Sequence, residues 1–185
     1  MADDVRMLLE NQSFRPASEI DGDVPILSGV YAIRLAGQSS LPEPFEAFLA
    51  ERTSRLIYIG KATTLKKRML GNELRGRGHG TFFRSIGAVL GFRPLAGSLA
   101  ERVNKYNFSF QKADRDGIVE WINANLEVSW AEVPAADVPK AELALIVEHT
   151  PLLNLDGNPQ ALVELDELRV LCRGIAAGQQ PHCEE

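Results

Sequence analysis

Over Gly29–Leu35, Tyr31, Ile33 and Leu35 fall on one side of the chain and Val30, Ala32 and Arg34 on the other, the period of a strand. Leu56–Gly60 reads LIYIG, a short apolar, β-branched and aromatic run of the kind that fills a central strand. Leu126–Val133 alternates again and predicts a third strand. Elsewhere the spacing is helical. Val5, Leu8 and Leu9 share one face of an opening helix, followed by a connector punctuated by Pro, Asp and Gly up to residue 28. Two prolines introduce a short helix within residues 36–55, and Ala62–Leu70 predicts another with Thr63 or Thr64 as its cap. Gly71–Gly80 reads as a glycine-rich basic loop. Thr81–Gly91 predicts a helix that buries Phe82, Phe83, Ile86, Val89 and Leu90. Residues 92–112 read as irregular, and Asp114–Asn125 carries Ile118, Trp121 and Ile122 at helical spacing. Lys140–His149 is a strongly apolar helix that ends before Pro151, with Leu143, Ile146 and Val147 on one face and Ala144 and Leu145 on another. Residues 160–177 predict a terminal helix, and the last eight residues are expected to be mobile. No internal repeat is present.

Strands distributed this unevenly among helices predict an α+β fold, with a small, three-stranded, mainly antiparallel sheet flanked by helices. The expected organisation is an N-terminal helix and connector (1–28), a central domain (29–159), and a C-terminal helix with a tail (160–185). At 185 residues, 45% of them apolar, the chain is long enough to bury a core without a disulfide or structural metal. No stretch approaches the roughly 20 apolar residues of a membrane span. The acidic start MADDVRMLLE is unlike a signal peptide. The two cysteines, Cys172 and Cys183, lack metal-site spacing and read as free thiols of a reducing cytoplasm.

Charge changes the picture. The net charge of −5 argues against indiscriminate nucleic-acid binding, yet it hides a segregation. Gly60–Lys105 holds ten Lys and Arg residues against two acids, Glu73 and Glu101, so this window is about +8 and the remainder about −13. Such a strip is either a solvated basic face or a selective polyanion groove. A dinucleotide-type G-x-G-x-x-G is absent, and GNELRGRGHG lacks the Gly-Lys-Ser/Thr ending of a P-loop.

Several side chains are candidates for chemistry. Tyr31 and Tyr58 lie on two short strands, each close to a glycine, although a strand tyrosine taken alone is ordinarily a core ring. Arg68 follows the second strand on the side that Lys61 approaches. Glu142 lies on a helix with few polar positions, where an acid is costly unless it is paired or holds a cation. Glu148 and His149 read as surface residues, and Asn154 as a turn-closing side chain.

These residues also carry a resemblance. GVY at Gly29–Tyr31, YIG at Tyr58–Gly60, KATTLKKR through Arg68, and AELALIVEHTPLLN from Ala141 to Asn154 are similar to the motifs of the GIY-YIG endonuclease family. Within the family, LIYIGKATTLKKR resembles the N-terminal nuclease domain of the bacterial excision-repair endonucleases. The twelve-residue interval from Glu142 to Asn154 also resembles GIY-YIG restriction enzymes. The resemblance spans roughly residues 29–159 and implies a GIY-YIG nuclease-like fold and a metal-dependent endonuclease hydrolysing phosphodiester bonds in DNA. It implies that Glu142 binds one divalent ion, Mg²⁺ first and Mn²⁺ as the alternative. Arg68 would contact the phosphate, Tyr31 handle the water nucleophile with Tyr58 close by, and Asn154 buttress the site. A phenol is a poor base at neutral pH, and Lys61 is the candidate cation to favour its ionised form.

Many members carry His or Tyr one helical turn after the arginine. Asn72 stands there in this chain, and His79 is the candidate replacement. The segment between the two tyrosine strands is also longer than in the repair enzymes. Lys66, Lys67, Arg75, Arg77 and Arg84 are the expected contacts to the nucleic-acid backbone. The competing reading is a catalytically inactive nucleic-acid-binding module on the same scaffold. Repair, restriction and mobile-element roles, an RNA substrate, and the homodimer that restriction would require all stay open at this point. Any sequence specificity is expected from residues 36–55 and 92–112 or from a partner.

Overall fold

The structure is a computed structural model that describes residues 7–179. Val5, Cys183 and residues 180–185 of the expected tail lie outside the described residues. In chain order the elements are β1 (Arg15–Pro16), β2 (Gly29–Leu35), α1 (Phe45–Ala50), β3 (Leu56–Ala62), a π-helix (Lys66–Leu74), α2 (Thr81–Val89), α3 (Lys112–Asn125), β4 (Leu126–Glu132), α4 (Val138–His149) and α5 (Val163–Ala176). The architecture is α+β: one antiparallel sheet in the order β1-β4-β2-β3, flanked by helices.

The sheet has four strands, not the three expected. The extra one, β1, comes from the expected connector and pairs Arg15 with Val128 and Pro16 with Glu127. A two-residue strand has no alternation to read, and its proline is tolerated because the strand lies at the sheet edge.

The alternation of β2 sorts two cores. Tyr31, Ile33 and Leu35 join the larger one with Ile57, Phe82, Ile86, Ile118 and Leu165. Val30 and Ala32 join a smaller one with Leu8, Ile59, Ala131, Leu145 and Ile146. Helix α2 is buried at every position from Phe82 to Val89, so it runs through the interior rather than presenting one apolar face. Ala17, Ile20 and Val24 between β1 and β2, and Leu165, Cys172 and Ala176 after the sheet, belong to the same larger core as the tyrosine strands. Helix α4 buries Val138, Leu145 and Ile146, whereas Leu143 and Val147 are 51% and 49% exposed. The apolar face expected at Leu143, Ile146 and Val147 is therefore displaced by part of a turn.

The helix after β3 also departs from expectation. Strand β3 continues through Ala62, and the helix then runs to Leu74, absorbing the first four residues of the expected glycine-rich loop. It is π-helical, with i→i+5 closure, and buries Met69, Leu70, Glu73 and Leu74.

Candidate active site

The β2–β3 register places Tyr31 opposite Gly60 and Ile33 opposite Tyr58, so both phenols rise from the same sheet face. Their ring centroids are 6.3 Å apart at 37°, and Tyr58 packs on Phe82 at 5.3 Å. The ring of Tyr31 lies directly over Gly60, where any Cβ would collide with its Cζ and Oη. At Gly29 a Cβ would run into the carbonyl oxygen of Ala131 on β4. The two glycines thus make room, one for the Tyr31 ring and one for close strand approach. Tyr31 is fully buried, and its Oη has no hydrogen-bond partner among the described residues. Burial raises its pKa well above the usual phenol value and Glu73 adds to this, while the Arg68 guanidinium beside it pulls the other way. Tyr58 is raised by burial and Glu73 in the same manner.

Arg68 is fixed by three partners. Nη1 donates to the carbonyl of His79 at 3.0 Å, and Nη2 donates to Thr81 Oγ1 at 3.3 Å and pairs with Glu73 Oε1 at 3.0 Å. The π-helix makes this pair. Residues five apart on an α-helix diverge by about 140° around the axis, whereas i→i+5 closure stacks them. Glu73 is 0% exposed and also accepts from the Thr81 and Phe83 amides, both at 3.1 Å, which caps the N-terminus of α2. Burial raises its pKa, and Arg68 and the two amides oppose that rise. Burial tends to lower the Arg68 pKa, but Glu73 and the two tyrosines outweigh it, so its charge is held firmly.

On the other side, Glu142 of α4 meets Lys61 of β3, with Nζ 2.6 Å from Oε2. The carboxylate side chain is 15% exposed and the lysine 51%. Asn154 is buried and binds Ile59 twice: Oδ1 accepts from the Ile59 amide at 2.9 Å, and Nδ2 donates to the Ile59 carbonyl at 2.8 Å. The amides of Leu152 and Leu153 bond to Leu56 and Ile57, so this run seals the free edge of β3.

Tyr31, Tyr58, Lys61, Arg68, Glu142 and Asn154 line one cleft of about 220 Å³, together with Thr81, Asp156 and Arg169. Wider clefts of about 550 and 690 Å³ lie elsewhere and include none of these six. His79 is exposed, and its ring is not among the groups lining the cleft; its carbonyl reaches the site through Arg68. Lys61 touches Glu142, and the cation beside Tyr31 is Arg68 instead.

The basic strip divides. Lys66, Lys67 and Arg77 are exposed. Arg75 is committed to Asp21 and to the Ala17 carbonyl, at 2.6 Å for the latter, and so staples the N-terminal segment to the π-helix. Arg84 is buried over the Phe108 ring with Nη1 unpartnered, and burial lowers its pKa to about 10. Neither Arg75 nor Arg84 presents its guanidinium as a surface contact. Sequence reasoning missed Glu73, Asp156 and Arg169. The signal for Glu73 was its rarity, an acid within a strongly basic window. Arg169 gave none.

Among the described residues no group of three or more His, Cys, Asp or Glu side chains could cage a metal ion. Mg²⁺ does not need such a cage, since it keeps several waters and commonly takes one or two carboxylates plus a substrate phosphate. Glu142, a carboxylate that faces the cleft beside Asp156 and has one exposed lysine as partner, fits that donor chemistry. Glu73, walled in by an arginine and two amides, does not.

No curated protein and no solved structure matches the chain. The family model described as the GIY-YIG catalytic domain matches residues 29–170, a span that starts at the glycine under β4 and ends one residue beyond Arg169. A strand pair built around GVY and YIG, an arginine on the following helix, and this match over most of the chain make the protein a member of the GIY-YIG nuclease family.

Proposed function

We propose that the protein is a divalent-metal-dependent endonuclease that hydrolyses phosphodiester bonds in DNA. One observation carries the reading. Two phenols, a guanidinium, an ammonium, a carboxylate and a carboxamide from widely separated parts of the chain line a single cleft of about 220 Å³. In this reading Arg68, immobilised by Glu73, Thr81 and His79, binds a non-bridging oxygen of the scissile phosphate and stabilises the negative charge that develops there. Glu142 would hold the cation, in exchange for its contact with Lys61. Mg²⁺ bound there would withdraw charge from the phosphate and support the leaving oxygen. Tyr31 Oη, which has no protein partner, orients the attacking water and takes its proton when ionised. Asn154 locks Ile59 between Tyr58 and Gly60, keeping the strand that carries the second phenol in register. Lys66, Lys67 and Arg77 bind the DNA backbone.

The Lys61–Glu142 contact is the observation that favours the second reading, a binding module that does not cut, because there the carboxylate already has its cation. Incubation with supercoiled plasmid and Mg²⁺ or Mn²⁺ separates the two. Nicking that EDTA and Glu142→Ala abolish supports the nuclease. Binding without nicking supports the module.

A further inference from the structure

The C-terminal helix α5 supplies one wall of the cleft, and its Arg169 is half-buried there beside Tyr58, Leu155 and Asp156. It makes no hydrogen bond and no ion pair among the described residues, although Asp156 lines the same cleft. The other cations of the site are engaged: Arg68 with Glu73, and Lys61 with Glu142. Behind this wall Arg84 is buried with one guanidinium nitrogen unpartnered. Arg84 lies close enough to feel the charge of both Arg68 and Arg169, and the buried carboxylate that pairs with Arg68 is Glu73. Lys61, Arg68, Arg84 and Arg169 stand against Glu73, Glu142 and Asp156, which leaves one positive charge in excess at the cleft, an arrangement completed by an anion.

We infer that Arg169 is a substrate-binding residue that holds the phosphate flanking the scissile one on the nucleic-acid strand. This rests on the nuclease reading above. The scissile phosphate already has Arg68, whose orientation is fixed by three partners. Arg169 enters from a different element with no donor engaged among the described residues, and a planar guanidinium suits two oxygens of one phosphate. The contact belongs to the bound ground state as much as to the transition state, so its loss falls on binding rather than on the chemical step.

The test uses the full chain on one duplex oligonucleotide. Binding is measured in Ca²⁺ across a salt series and cleavage in Mg²⁺, for wild type, Arg169→Ala, Arg169→Lys and Arg173→Gln. Arg173 lies one turn further along the same helix, stacked on Tyr106 at 5.0 Å, and its replacement removes the same charge outside the cleft. Arg169→Ala is expected to raise KM and Kd about 10- to 100-fold with kcat within a few-fold, and to reduce the slope of log K against log salt by about 0.9. Arg169→Lys should keep the slope and recover part of the affinity, and Arg173→Gln should match wild type. Thermal melting of Arg169→Ala at the wild-type midpoint shows that the loss is not one of folding; should it melt early, the slope for Arg169→Gln decides. A wild-type protein that binds and cuts while Arg169→Ala matches it in KM and slope overturns the role of Arg169 alone. So does a fall confined to kcat. A wild-type protein that neither binds nor cuts overturns the nuclease reading itself.

Discussion

Two acid–base pairs flank the cleft, and they are built oppositely. Glu73 is sealed from solvent, with Arg68 and two backbone amides occupying its oxygens, and it reaches that geometry only because the helix carrying both residues is wound as a π-helix. Glu142 keeps part of its surface in the cleft and has one exposed lysine as partner. A carboxylate with several fixed donors in a dry site is a structural element whose loss leaves orphaned groups behind. One paired with a single exposed lysine costs little to rearrange, which on the nuclease reading lets it exchange that partner for a metal ion. Burial alone does not separate the roles of the two acids; the number and rigidity of their partners do.

The largest effect should come from Glu142. Replacement by Ala is expected to cut metal-dependent plasmid cleavage on the order of 10³-fold or more while changing unfolding free energy by under about 1 kcal/mol. Activity surviving intact would erase the contrast between the pairs.

Tyr31→Phe comes next, with an expected loss of about 10²- to 10³-fold in rate at nearly unchanged stability, because the hydroxyl it removes has no protein partner. The pH profile carries the sign. Burial and Glu73 raise the Tyr31 pKa above the ordinary phenol value, so its ionised form is scarce at neutral pH and grows as pH rises. The wild-type rate of the chemical step should climb through neutral pH without levelling below about pH 10, and the Phe variant should lose that climb.

Glu73→Ala is expected to reverse the Glu142 pattern. It should lower stability in urea unfolding by about 2–4 kcal/mol, with activity falling through the loss of Arg68 positioning. A Glu73 variant as stable as wild type would show that the buried pair is not the anchor described. Gly60→Ala should be the smallest, at about 1–3 kcal/mol, as its Cβ displaces the Tyr31 ring.

How much of this was legible in the sequence follows from the same physics. Strands β2, β3 and β4 announce themselves by period and β-branched content, and the paired glycines stand at the positions where a ring and a neighbouring strand need room. The six motif residues converge because the motif encodes strand register and helix placement together. The π-helix leaves no such mark: nothing in KKRMLGNEL separates i→i+5 from i→i+4 closure, so the Arg68–Glu73 pairing was hidden. Arg75 and Arg84 were read as surface charge because a charge run carries no record of burial. One staples the N-terminal segment and the other is buried over the Phe108 ring. Leu143 and Val147 misled in the other direction, as apolar residues left in solvent. Arg169 sits more than a hundred residues from the tyrosines, and only the packing of α5 against the larger core brings it to the cleft.

The most direct test of the central contrast is the position of Mn²⁺ in crystals grown with a duplex, read from its anomalous scattering. The account predicts a single strong peak in the cleft within coordination distance of a Glu142 oxygen, with Lys61 withdrawn and the Arg68–Glu73 pair undisturbed. A peak at Glu73, or a loaded crystal in which Lys61 still covers Glu142 and no metal lies in the cleft, would contradict it.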